Sequence, residues 1–246
     1  MHFESHADRY TEARPPYPPE LWARVQATGL VGPGRRAVDL GAGTGQATGP
    51  LLAAGMDVVA VEPGPGLASR LAARYPRAEL VVARAEEADL PAASFDLAVA
   101  ATSVHWMDLD VVLPKVHRAL TPEGRFLVWR NVFGDAAAPV TPFRQRVAQI
   151  VGRRGGPPRA GDHEDAAVTA ARLSRSGLFA VGDVVEWRWS IVLDASRIHD
   201  LFESFSDWSA DEVSEATAAV RDLGGEVVEH YTSWLIELAP RRGRLS

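Results

Sequence analysis

Three glycines at alternate positions, Gly41, Gly43 and Gly45, follow the apolar run Ala37 to Leu40 and precede a helix-like segment. The run reads as a buried strand. The glycines read as a turn too tight for side chains, which lets main chain approach a ligand closely, with Ala42 inside it. Dinucleotide-binding turns space their glycines as G-x-G-x-x-G/A, which would put the third at Gln46; here it arrives one position early, at Gly45. Asp39 sits inside the strand, where a carboxylate is costly unless paired. Glu62 ends the next apolar run, 21 residues after Gly41, where a carboxylate can accept both hydroxyls of a ribose. The plain alternative for Glu62 is a solvated strand end. His105 and Trp106 follow the fourth apolar run, and ligands of open α/β sheets bind beyond such strand ends. An imidazole there is suited to taking a proton near neutral pH, the alternative being that both rings simply pack beside the ligand.

The elements that must carry these residues alternate. Helical patterns cover 18–27, 44–54 (with Thr44 as the expected cap), 67–75 and 108–120, the last stopped by Pro122-Glu123-Gly124. Short apolar strands cover 37–41, 57–62, 79–83, 95–101 and 125–132. Repeated βα units of this kind imply a parallel sheet covered on both faces, a doubly wound, Rossmann-like α/β fold. The second half reads as helices 142–152, 165–176, 196–205 and 210–223, with long strands at 179–193 and 226–238 and a Gly/Pro/Arg loop at 153–161. No repeat or linker marks a boundary, so a single domain over 1–246 is expected.

The full chain has 246 residues, 46% of them hydrophobic and 24% charged, which is ordinary for a globular protein. Its net charge of −6, with a basic cluster only at Arg241-Arg242-Gly243-Arg244, argues against nucleic acid as the main partner. The absence of cysteine removes disulfides, thiolate nucleophiles and thiolate-bound metal. Met1 to His6 lacks a signal-like apolar stretch and no run is long enough to span a membrane, so the cytoplasm is the expected location and no membrane partner is expected. Gly161-Asp162-His163-Glu164-Asp165 offers one histidine among acids, poor ligand spacing, and no metal is expected.

The glycine spacing fits S-adenosylmethionine (SAM) better than NAD. Along the chain stand Tyr10 with Arg14-Pro15-Pro16-Tyr17-Pro18, the glycine turn, Glu62-Pro63, Arg84-Ala85-Glu86 and Leu90-Pro91. They are followed by Ser94-Phe95-Asp96, His105-Trp106-Met107-Asp108 and Leu120-Thr121-Pro122-Glu123-Gly124-Arg125. In the order and spacing of these motifs the chain resembles class I SAM-dependent methyltransferases, in the branch of trans-aconitate methyltransferase-like enzymes. The resemblance implies a seven-stranded, mostly parallel sheet whose last strand is antiparallel. It implies a lid and first helix over 1–30, a SAM-binding core over 35–133, acceptor-pocket elements over 135–225 and the last strand at 226–238.

The resemblance also implies roles. Asp39 would help hold the SAM ammonium, the alternative being a cap on the glycine turn. Tyr10 and Arg14 would cover the cofactor, with Arg14 forking onto its carboxylate. Pro63, Thr102 and Trp106 would line it, and Ala85 and Glu86 would contact the adenine, although Arg84 stands where many relatives carry an acid and Glu86 also reads as a helix-start residue. The expected activity is methyl transfer to an oxygen of a small molecule, leaving S-adenosylhomocysteine. A hydroxyl acceptor would need a base, for which His105 is the candidate. A carboxylate would want cations instead, with Arg130, Arg144 and the lid residue Tyr17 as candidates for acceptor contact. The alternative function is a SAM-binding module that transfers nothing.

Overall fold

The computed structural model describes residues 14–154, 164–205 and 207–241. Its helices are α1 (Pro19–Gln26), α2 (Thr48–Ala53), α3 (Pro65–Arg74), α4 (Leu109–Ala119), α5 (Pro142–Gly152), α6 (Ala166–Ser174), α7 (Ala195–Glu203) and α8 (Ala210–Asp222). Its strands are β1 (Arg36–Leu40), β2 (Asp57–Val61), β3 (Glu79–Val81), β4 (Phe95–Ala101), β5 (Leu120–Phe133), β6 (Phe179–Asp194) and β7 (Glu226–Pro240). They form one seven-stranded sheet in the order β3-β2-β1-β4-β5-β7-β6, mostly parallel with the last strand antiparallel. The expected architecture is therefore present.

β1 lies at the centre of the parallel part, between β2 and β4, with Asp39 opposite Ala60 on one side and Val99 on the other. The strand order reverses between β1 and β4, and such a switch point opens a crevice beyond the strand ends. Two local expectations are corrected. Helix α2 begins at Thr48 with Ala47 as its cap, so Thr44 does not open it. The glycine turn occupies 41–45, where Gly45 N–H donates to Ala42 O at 2.9 Å, and the helix forms only beyond it. The second correction concerns β5, which starts directly after α4. Its register against β4 jumps from Phe95↔Leu120 to Leu97↔Arg125, so Pro122-Glu123-Gly124 forms an irregularity in a strand rather than a loop.

The described chain divides into two compact units. The larger comprises Tyr17–Asn131, Gly161–Trp187 and Ser233–Ser246. Its core packs Leu21 and Val25 of α1 and Leu51 of α2 against Leu97 and Leu127 of the sheet. Trp129, fully buried, meets Tyr17 and Trp22 edge-on at 5.9 and 5.6 Å between ring centroids. The smaller unit comprises Met1–Pro16, Val132–Ala160 and Arg188–Thr232. Here α5, α7 and α8 turn Phe143, Ile150, Ile198, Phe202, Ala216 and Val220 into a second core. Ser209 and Glu212 form a reciprocal capping box at the start of α8, an arrangement whose loss costs about 1 kcal/mol. Among the described residues no helix is long and apolar enough to cross a membrane.

Candidate functional site

All three turn glycines have positive φ, at 68°, 58° and 90°, a conformation that other residues adopt only with strain. Each is glycine for a further, different reason. A Cβ on Gly41 would lie 2.6 Å from Ser103 Cβ, and one on Gly45 would lie 2.5 Å from a ring carbon of Tyr75. A Cβ on Gly43 would meet nothing within 4 Å. Gly41 and Gly45 thus serve packing, whereas Gly43 exposes bare main chain to open space. The turn is anchored on both sides. Gly41 and Ala42 N–H donate to Val61 O at 2.8 and 3.0 Å, and Ser103 Oγ donates to Leu40 O at 2.6 Å.

Glu62 is buried, and both of its oxygens accept from main chain: Gly43 N–H on one at 2.8 Å, Gly64 N–H on the other at 2.8 Å. The solvated alternative for Glu62 is therefore excluded. Burial pushes its carboxyl up, opposed by the two N–H donors. Each oxygen keeps a second lone pair, which is what recognition of a diol requires. Asp39 is wholly buried; its Oδ2 accepts from Thr48 Oγ1 at 2.7 Å while Oδ1 has no partner. Burial pushes this carboxyl up to about 6, partly offset by Thr48 and reinforced by the nearby Glu62. A buried acid with one oxygen unsatisfied fits a site that receives a cation.

Around the ends of β3 and β4 the structure assembles the other predicted residues of the larger unit. Ala85 is buried. Glu86 accepts from Asp108 N–H at 2.8 Å and from Arg84 at 3.3 Å, contacts that hold its carboxyl below its ordinary range against the desolvation of partial burial. Pro63 is exposed and leads into Gly64. Thr102 has φ 58°, unusual for a β-branched residue, and backbone strain of this kind clusters at functional sites. Its hydroxyl pairs with Tyr17 OH at 2.9 Å. Tyr17 is otherwise a core residue, 7% exposed, so the structure gives it a packing task rather than an open face for an acceptor.

His105 and Trp106 lie in a single turn of 3₁₀ helix, their rings 4.9 Å apart, with Trp106 exposed by 63%. Arg130 Nη1 lies 3.0 Å from His105 Nδ1, and its Nη2 lies 3.5 Å from Glu164 Oε1. A guanidinium only donates, so Nδ1 is the acceptor and the neutral ring carries its proton on Nε2.

Of the other predicted residues, two belong to the smaller unit and one lies outside the described residues. Arg14 lies in the smaller unit, donating to Ser204 O at 3.3 Å with its guanidinium 5.1 Å from the Phe205 ring centroid. Arg144 lies in the same unit, 2.9 Å from Glu229. Tyr10 falls outside the described residues, as do Gly161, Asp162 and His163 of the acidic loop. Of that loop's other members, Glu164 accepts from Trp234 Nε1 at 2.8 Å and Asp165 caps α6. Among the described residues, His199, Asp200 and Glu203 on α7 bring their ligand atoms within 4.8 Å of one another. Sequence reasoning missed Thr48 and Ser103, short hydroxyl residues whose roles depend on which strand ends they meet. It also missed Glu229, for which a signal existed. Val227, Glu229 and Tyr231 alternate on one strand face, which marks Glu229 as an inward-facing acid.

Comparison with known proteins bears on this geometry. Residues 38–128 match the sequence profile of the methyltransferase domain family. Over that stretch the chain resembles methyltransferases. Enzymes of this class take their methyl group from S-adenosylmethionine. The chain is 38% identical over 162 residues to an uncharacterised methyltransferase of Mycobacterium tuberculosis strain H37Rv, covering 65% of this chain and 62% of that protein. The match thus spans less than two thirds of the length of this relative. Among solved structures, a protein from Anaeromyxobacter dehalogenans described as a type II methyltransferase aligns with a TM-score of 0.63 and 26% identity, over 92% of this chain and 97% of that one. The fold is shared with geranyl diphosphate C-methyltransferase from Streptomyces coelicolor, at a TM-score of 0.51 and 14% identity over 90% of this chain and 77% of that one.

Proposed function

We propose that the whole chain is a SAM-dependent methyltransferase acting on an oxygen of a small molecule, as in the trans-aconitate methyltransferase-like branch whose motifs it resembles. The observation that carries this reading is Gly43: positive φ, no atom that its Cβ would meet, and its N–H on the buried carboxylate of Glu62. Beside it stands Asp39, with one buried oxygen unsatisfied. When bound, SAM supplies a methyl on a sulfonium already activated for displacement, and the sulfur keeps the electron pair of the broken bond. Glu62 would take the ribose hydroxyls, Asp39 the ammonium, and Ala85 with Glu86 the adenine, while Gly41, Ala42, Gly43 and Gly45 keep the crevice floor bare. Pro63, Thr102 and Trp106 would complete the lining. Residues 135–225 would recognise the acceptor.

For His105 the geometry favours a donor over a base. Arg130 occupies the lone pair of Nδ1, so taking a further proton would place N–H against a guanidinium. The ring carries its proton on Nε2, the donor side. The rival reading, SAM binding without transfer, differs in one measurable respect. The protein incubated with methyl-labelled SAM and a metabolite extract should move label into small molecules and release S-adenosylhomocysteine. Binding of SAM with no label transferred across the pool would favour the rival.

A further inference from the structure

Among the described residues of the smaller unit, three neighbouring side chains carry four buried polar atoms without a hydrogen-bond partner. They are both carboxylate oxygens of Glu229, Nη2 of Arg144 and the hydroxyl of Tyr231. Glu229 is 0% exposed and Tyr231 2%. Two residues apart on β7, they share one strand face. Arg144 Nε stands 2.9 Å from Glu229 Oε2, an ion pair whose N–H is not aligned on the oxygen. Native proteins leave few such groups unmet, and each one calls for water, an ion or a ligand.

The surroundings are aromatic and flat. Trp189 stacks on Tyr231 at 4.8 Å with 20° between planes, and Phe133 meets Tyr231 at 5.5 Å and 69°. The Arg144 guanidinium lies 3.8 Å over the Phe133 ring centroid. Gly134, at φ 90°, carries the chain so close that a Cβ there would lie 2.2 Å from Arg144 Nη2. Phe133 and Trp189 are themselves only half-buried, so the polar atoms lie behind rings that solvent still reaches.

The unmet chemistry consists of carboxylate acceptors, a guanidinium N–H and a hydroxyl; Arg144 is paired with Glu229, and Arg14, the other cation acting on Tyr231, donates to Ser204 O and lies over the Phe205 ring. A ligand carboxylate would be set against the buried carboxylate of Glu229, with Arg144 already committed to it. A ligand ammonium would stand beside Arg144. A hydroxyl donates to Glu229 and accepts from Arg144 or Tyr231, adding no charge. Burial pushes the Glu229 carboxyl up to about 7, against the pull of Arg144, so it is a strong hydrogen-bond acceptor for such a group. We propose that the smaller unit holds a binding site for a neutral, planar, hydroxyl-bearing molecule, its hydroxyl seated among Arg144, Glu229 and Tyr231 and its ring against Phe133 and Trp189. Identifying that molecule with the methyl acceptor rests on the function proposed above; the binding itself does not.

The test is calorimetric titration of the full chain with 2-naphthol and with 2-naphthoate, which share a ring system and differ in the polar group. The naphthol should bind more tightly than the naphthoate. Tyr231→Phe removes a hydroxyl that has no partner, so the fold loses no hydrogen bond, yet naphthol binding should weaken about three- to tenfold. Glu229→Gln should weaken it further, with thermal unfolding recorded to confirm that the variant is folded. Naphthoate binding as tightly as naphthol, no saturable naphthol binding, or equal affinity in Tyr231→Phe would each overturn the proposal. S-adenosylhomocysteine is titrated into the same samples. Its binding without that of naphthol breaks this proposal alone, and naphthol binding without it breaks the methyltransferase reading alone.

Discussion

Gly41→Ala and Gly43→Ala, two positions apart, should damage different properties of the protein. At both positions a side chain is forced into a left-handed conformation, which costs about 1–2 kcal/mol. At Gly43 that is the whole structural cost, because the added carbon meets nothing within 4 Å. For a chain of this size it lowers the melting temperature by roughly 2–8 °C. At Gly41 the added carbon would sit 2.6 Å from Ser103 Cβ, whose own hydroxyl is held on Leu40 O at 2.6 Å, so β4 or β1 must move. Overpacking of this kind adds about 1–3 kcal/mol, bringing the total to about 2–5. The order should invert for the cofactor. Gly43→Ala fills the space in which a ligand would lie on main chain, and losing about 1–3 kcal/mol of contact there weakens binding by roughly 5- to 150-fold. Titration calorimetry with S-adenosylhomocysteine and thermal unfolding of the same preparations measure both effects. A Gly43→Ala protein with wild-type affinity, or one as destabilised as Gly41→Ala, would refute the assignment of Gly43 to the ligand.

Three further outcomes are expected. Asp39, pushed from 3.8 up to about 6, keeps its proton longer in the folded state, so stability should fall as pH rises from about 4 to 6 by roughly 3 kcal/mol and then level off. Asp39→Asn should flatten that stretch in urea titrations, and an unchanged slope would show that this carboxyl is not its source. Glu62→Gln turns an amide NH₂ toward the N–H of Gly43 or Gly64 and should cost about 1–3 kcal/mol while weakening S-adenosylhomocysteine binding; a wild-type dissociation constant would remove Glu62 from the site. In carbon-13 spectra of labelled histidine, neutral His105 should carry its proton on Nε2, and Arg130→Met should release that preference. A wild-type ring protonated on Nδ1 would end the donor role proposed for His105.

How far the molecule could be read beforehand depended on how local each signal was. The parallel strands and the glycine turn are written in short stretches. β4 was read at its observed bounds because seven residues of buried strand sit between a turn and a polar break. Thr44 misled because a threonine before a helical pattern looks like a cap, while three left-handed glycines delay the helix to Thr48. Arg14 was assigned from the resemblance and Arg144 by its charge. Charge does not say which unit a side chain joins, and both belong to the smaller unit whereas the glycine turn belongs to the larger.

By itself, the sequence determined the α/β alternation, the bare turn and the two acids that flank it, since strand periodicity and glycine backbone freedom are properties of neighbouring residues. Only the tertiary structure decided what those groups face. Thr48 on Asp39, main-chain N–H on both oxygens of Glu62, Arg130 on His105 and Arg144 against Glu229 join residues that no periodicity links. Hydrogen bonding and desolvation are set by what surrounds a group in space, so the protonation of His105, Asp39 and Glu229 became legible only once the chain had closed around them.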